Sequence, residues 1–127
     1  MPGLKEIMTS DVFTIARDAT VADVAGTMLK RRLGSAVVMD GSWVSGIFTE
    51  RDVVRAAASG KDLTSSRVID WMTSDPVTVD GSLDAEEAAE LMMTNGFRHL
   101  PVVEGQTLVG IVSLRDVLRT RIRRPQA

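Results

Sequence analysis

The chain of 127 residues has no cysteine and a single histidine, His99. Without cysteine there are no disulfides, thiolate nucleophiles or cysteine-ligated metals. One histidine cannot build a multi-histidine zinc site, so no metal is expected. Charge of one sign is also lacking: 15 basic residues face 17 acidic ones, a formal net charge of −2. Dedicated nucleic-acid binders carry a basic excess, so that class of partner is not expected. No apolar run nears the ~20 residues that span a bilayer. The opening MPGLKEIMTSD has no signal-peptide apolar core. The expectation is a cytoplasmic protein with no membrane association. No nucleophile–base pair or phosphate-binding glycine loop stands out, so an enzyme is not expected. The length fits one compact domain, and 44% hydrophobic with 25% charged residues is ordinary for a soluble chain.

What is present is a repeat. GIFTERD, residues 46–52, returns as GIVSLRD, residues 110–116. An offset of 64 positions also lays MTSD at Met8 on MTSD at Met72, and the register then holds without a gap to Arg55. Met28 meets Met92, Gly41 meets Gly105, and Arg55 meets Arg119. Self-similarity at fixed spacing marks duplicated structural units.

Each copy reads β-α-β-β-α. A short alternating stretch, VFTIA or PVTVD, precedes a helix capped by Thr20 or Asp84. Val21, Val24, Ala25 and Met28, and then Ala85, Ala88, Ala89 and Met92, follow the i, i+3, i+4, i+7 spacing of an amphipathic helix. Asn95-Gly96 suits a helix end. Two apolar strands follow, joined by tight turns at Asp40-Gly41 and Glu104-Gly105. The repeated motif then opens a second helix, running to about Ala58 and Ile122. The expected organisation is a first repeat over 1–58, a polar linker over 59–67, a second repeat over 68–122 and a frayed tail over 123–127. A unit of about fifty residues buries too little surface to be secure alone. The fold class is therefore mixed, α/β of the α+β kind, with two repeats packed about a pseudo-two-fold axis and two equivalent clefts at the seam.

Thr49-x-x-Asp52 and Ser113-x-x-Asp116 admit two readings. One is a capping box, in which hydroxyl and carboxylate satisfy each other's backbone amides. The other is a ligand site. A helix N-terminus attracts anions, and Gly46 or Gly110 lets a ligand approach the backbone. A carboxylate one turn in can accept from a pair of vicinal hydroxyls. Together these match a ribose phosphate.

The tandem repeats, the two GIxxxRD turns and the strand FRHLPVVEG closely resemble a cystathionine-β-synthase (CBS) domain pair, or Bateman module, over residues 7–119. The resemblance implies a stand-alone regulatory module that needs no cofactor. Its effector would be AMP, ADP, ATP or S-adenosylmethionine, bound in clefts between the repeats, and its signal would go to a partner protein as yet unknown. It implies that Thr49 and Asp52 serve one cleft, completed by Thr73, Val77, Thr78, Arg98 and His99. Ser113 and Asp116 serve the other, completed by Thr9, Phe13, Thr14, Gly34 and Ser35. A flat homodimer through the amphipathic helices is implied as well. The two sites are expected to be unequal. Arg98-His99-Leu100-Pro101 fits the family's strand, whereas Gly34-Ser35-Ala36-Val37 lacks the basic pair and the proline. Arg98 is the best phosphate candidate, and the family resemblance implies a strand position that can face either cleft. The alternative is a structural or interaction module whose clefts are empty or self-filled. Of the remaining features, Met28, Met92 and Met93 read as core, Trp43 and Trp71 as packing, and Arg51 and Arg115 as partners of nearby acids. Arg119, Arg121, Arg123 and Arg124 read as a solvated basic helix end.

Overall fold

The computed structural model describes residues 2–122; the expected frayed tail, with Arg123 and Arg124, lies outside the described residues. A single helical turn, α1 (Leu4–Ile7), comes first. The first repeat follows as β1 (Thr14–Ala16), α2 (Val21–Arg31), β2 (Ser35–Asp40), β3 (Trp43–Thr49) and α3 (Glu50–Ala58). After a 3₁₀ turn and the short β4 (Thr73–Ser74), the second repeat runs β5 (Val79–Asp80), α4 (Ala85–Asn95), β6 (His99–Glu104), β7 (Thr107–Ser113) and α5 (Leu114–Ile122). The β-α-β-β-α order read from the sequence is the order observed.

The local chemistry explains the boundaries. Thr20 Oγ1 accepts from the Asp23 amide at 3.2 Å and Asp84 Oδ1 from the Glu86 amide at 2.7 Å, so α2 and α4 are capped where expected. Val21, Val24 and Met28 of α2 are buried, as are Ala85, Ala88 and Met92 of α4. Met93 departs from the expectation. It is 72% exposed, because one residue beyond Met92 is a 100° step around the helix and off the buried stripe. Trp43 also departs, standing 54% exposed where β3 leaves its turn. The helices end in the left-handed region, α4 on Gly96 at φ +76° and α2 on Arg32 at φ +56°. Glycine adopts that conformation freely and arginine does not.

The described residues form two compact units, 13–76 and 2–12 joined with 77–122. In Phe13–Pro76 the sheet order is β1-β2-β3-β4, with β1 parallel to β2 and the other pairs antiparallel. Its core gathers Val21, Met28, Val38 and Phe48, with Trp71 and Met72 packed alongside. In the other unit the order is β5-β6-β7. There Thr9 lies against Ile111, exchanging backbone hydrogen bonds of 2.9 and 3.0 Å. Its core gathers Leu4, Met92, Leu100 and Val112.

The two sheets share one device. Thr73 of β4 pairs with Ile47 of β3, and Thr9 pairs with Ile111 of β7. Both members of each pair are 64 positions from their counterparts. So each repeat sends its leading MTSD segment to the other repeat's hairpin. The compact units are therefore not the sequence repeats.

The linker is built rather than slack. Asp62 Oδ1 accepts from the Thr64 amide at 2.9 Å and hydroxyl at 2.7 Å, and these bonds hold its carboxyl below the ordinary range, the hydroxyl first. The carbonyls of Ser66 and Leu63 accept from the first two amides of α2, at 2.8 and 3.0 Å.

Candidate functional site

Each GIxxxRD segment carries a strand straight into a helix. β3 ends at Thr49 and α3 begins at Glu50; β7 ends at Ser113 and α5 begins at Leu114. The glycines have a different use from the one expected. A Cβ built on Gly46 would meet the Met72 sulfur and, at 2.9 Å, the Thr73 carbonyl oxygen. One on Gly110 would meet the Met8 sulfur and, at 3.1 Å, the Thr9 carbonyl. The space that glycine opens is filled by a methionine and by the paired backbone of the MTSD segment.

Both capping boxes form. In the first, the Thr49 amide donates to Asp52 Oδ2 at 2.9 Å and the Thr49 hydroxyl to the same oxygen at 3.3 Å. Arg55 Nη1 donates to Oδ1 at 2.9 Å. In the second, the Ser113 amide donates to Asp116 Oδ2 at 2.8 Å, while the Ser113 hydroxyl accepts from the Asp116 amide at 3.1 Å. Arg119 stands 3.8 Å from Asp116 Oδ1, an ion pair beyond hydrogen-bonding length. The Asp52 side chain is 8% exposed and that of Asp116 20%.

The first amide of each helix is already taken. The Glu50 amide donates to the Gly34 carbonyl at 3.1 Å and the Leu114 amide to the Arg98 carbonyl at 2.9 Å. The residue pair before each β hairpin thus sits beside the turn of its own repeat, with Ser35 opposite Thr49 and His99 opposite Ser113.

The expected site residues divide between the units. Thr49, Asp52, Phe13, Thr14, Gly34, Ser35 and Thr73 fall in Phe13–Pro76. Ser113, Asp116, Thr9, Val77, Thr78, Arg98 and His99 fall in the other. Phe13 passes its carbonyl to the Val37 amide at 2.9 Å and lies under the Arg31 guanidinium, 5.4 Å from its ring centre. Thr14, Thr73, Thr78, Thr9 and Arg98 are exposed, and Val77 is 44% exposed.

From the sequence Arg55 has no role, Arg119 is only a solvated helix end and Trp71 only packing. Trp71 does pack against the core of its unit, but packing leaves out its arginine. Arg51 and Arg115 are expected to pair with nearby acids across the surface, whereas the arginines beside Asp52 and Asp116 are Arg55 and Arg119, three residues beyond each aspartate. The signal was there: i, i+3 positions meet on a helix face, and Arg55 matches Arg119 in the repeat. Trp71 has no local cue. Its carbonyl accepts from Arg55 Nη1 at 3.3 Å. Its ring carries the Arg55 guanidinium at 5.6 Å and the Lys61 ammonium at 5.8 Å.

Among the described residues no cluster of histidine, cysteine, aspartate or glutamate could hold a metal. No helix there is long and apolar enough to cross a membrane.

Comparison with known proteins accounts for this duplicated geometry. The CBS-domain family model matches residues 4–59 and again 68–123. The CBS-domain containing protein ATU1752 from Agrobacterium tumefaciens is 35% identical at a TM-score of 0.88, covering 94% of this chain and 98% of its own. The hexameric CBS-CP12 protein from bloom-forming cyanobacteria is also 35% identical, at a TM-score of 0.88, with 98% of this chain and 76% of that one covered. The CBS domain pair of protein MJ0100, crystallised with 5′-methylthioadenosine and S-adenosyl-L-methionine, shares the fold at a TM-score of 0.86 and 22% identity, over 94% of this chain and 98% of that one. With two family matches spanning most of its length, each ending in a capped GIxxxRD helix start, the chain belongs to the CBS-domain family.

Proposed function

We propose that the protein is a regulatory module that senses an adenosyl compound, AMP, ADP, ATP or S-adenosylmethionine, and signals to a partner protein without catalysing a reaction. One observation carries the reading: the duplicated turn that sets a carboxylate, Asp52 or Asp116, beside a hydroxyl residue at a helix start. A carboxylate is an acceptor-only group with two oxygens, the natural complement of a ribose 2′,3′-diol. All four candidate effectors carry that diol. The fold relative MJ0100 binds two compounds that carry it as well. Arg98, exposed beside the Ser113 turn, is the group suited to phosphate, because a guanidinium holds two oxygens at once.

The proposal includes a homodimer. Leu29 and Met93 are 83% and 72% exposed, Val54 and Leu118 65% and 52%. Each pair occupies equivalent positions of the two repeats. Apolar side chains left exposed at matched helix positions favour burial against a second copy.

Calorimetry of the full chain against the four compounds, repeated with Asp52→Ala and Asp116→Ala, tests the function. Micromolar-range binding of at least one compound, weakened by at least one substitution, is the expected result. A second reading, a purely structural module, is favoured by the capping boxes, which spend the hydroxyls and carboxylates on the helix starts themselves. It predicts lower stability in both variants and no heat of binding in the parent.

A further inference from the structure

The two aspartates have unequal room for a diol. Each carboxylate oxygen has about two acceptor positions. At Asp52, Oδ2 takes the amide and hydroxyl of Thr49, and Oδ1 takes Arg55, so three of roughly four positions are filled. At Asp116, Oδ2 takes the Ser113 amide, and the Ser113 hydroxyl accepts from the Asp116 amide. Arg119 stays at 3.8 Å from Oδ1. A vicinal diol donates two hydrogen bonds and needs two acceptor positions. Asp116 has them; Asp52 gains them only if Arg55 withdraws.

Arg55 is fastened on more than one side. Its guanidinium reaches the Asp52 carboxylate and the Trp71 carbonyl, and stacks over the Trp71 ring. The position equivalent to Trp71, one residue before Met8, holds Ile7, an aliphatic side chain packed against the core. It offers Arg119 no aromatic face. The difference between the two arginines therefore follows from one aromatic residue.

We propose, resting on the adenosyl-sensing reading, that the Asp116 turn is the primary ribose site and that Arg55 is the specificity-determining residue that closes the Asp52 turn. The guanidinium stands where one ribose hydroxyl would donate. The chain loads one ligand through Asp116, and the second turn opens only when Arg55 leaves Asp52.

The test is calorimetry of the full chain with 5′-methylthioadenosine, which has the diol but no phosphate for Arg55 to attract, and with its 2′-deoxy analogue. The parent should bind one equivalent. Asp116→Asn should weaken that binding roughly tenfold to a hundredfold, the worth of a charge-assisted hydrogen bond. Arg55→Met, which keeps an apolar stem against Trp71, should add a second equivalent that disappears when Asp52→Asn is combined with it. The deoxy analogue gives a measurement that needs no Arg55 variant: its penalty should be present in the parent and absent in Asp116→Asn. Undiminished binding by folded Asp116→Asn, or a stoichiometry of one in folded Arg55→Met, overturns the proposal and leaves the sensing reading standing. A parent that binds neither 5′-methylthioadenosine nor AMP overturns both.

Discussion

Two helix starts built on one formula, Thr49-x-x-Asp52 and Ser113-x-x-Asp116, end in different electrostatic states. In the first, the carboxylate is nearly out of solvent and locked by a guanidinium at 2.9 Å. In the second, the carboxylate is more open and its arginine stands off at 3.8 Å. The backbone route is the same in both, and so is the amide that closes the box. The contrast comes from what lies beyond the motif, Trp71 in one unit and Ile7 in the other. A duplicated motif therefore repeats the helix start without repeating the partners of its carboxylate.

The comparison can be broken by mutation, and the largest effect should come from the aspartates. Asp52→Ala removes a buried acceptor from two Thr49 donors and leaves Arg55 without its carboxylate. A loss of about 2–3 kcal/mol is expected, against about 1 kcal/mol for Asp116→Ala, where chiefly a cap is lost. Equal losses in urea unfolding would show that the two turns do not differ. Next come the glycines. Gly46→Ala and Gly110→Ala each force a Cβ toward a methionine sulfur and a backbone carbonyl. The methionine can move; the paired carbonyl cannot without shifting the strand. A cost of about 1–3 kcal/mol is expected, larger for Gly46, where the carbonyl is nearer.

A gain is expected at the end of α2. Arg32 holds the left-handed conformation that Gly96 holds in the second repeat. Arg32→Gly should raise stability by about 0.5–1 kcal/mol, the relief of strain less the added freedom of the unfolded chain. A fall in melting temperature would mean that the arginine side chain contributes more than its backbone costs. Stability should barely change with Leu118→Glu or Val54→Glu, within about 0.5 kcal/mol, since both positions are exposed. The mass measured by light scattering should fall to that of a single chain, and an unchanged mass would remove the proposed dimer face. The smallest effect belongs to Asp62. Its carboxyl is held below the ordinary range by Thr64, so its contribution is complete above that range and is lost as pH falls through the folded value. Asp62→Ala should lower the melting temperature slightly at neutral pH and not at all in strong acid.

Much of this architecture was legible because it is written in short-range terms. The caps at Thr20 and Asp84, the buried stripes through Met28 and Met92, and the hydroxyl–carboxylate pairs at three-residue spacing all concern neighbours on one helix turn. The misreadings had physical causes. Met93 reads as core on the expectation that it shares the helix face of Met92, but one step further round the helix it turns outward. Gly46 and Gly110 were assigned to ligand approach, although Met72 and Met8 fill the space. Arg55 was visible as a repeat match, but its grip on Asp52 depends on Trp71, 16 residues away.

By itself the amino-acid order determined the duplication, the β-α-β-β-α succession and the pairing of hydroxyl with aspartate at two helix starts. These rest on periodicity and on contacts within about four positions, which the chain cannot avoid making once the helix forms. Tertiary structure alone decided that Thr73 lies against Ile47 and Thr9 against Ile111, and that a guanidinium over an indole covers one carboxylate and not the other. Those outcomes depend on which distant surfaces meet when the apolar faces are buried, and no local spacing encodes that choice.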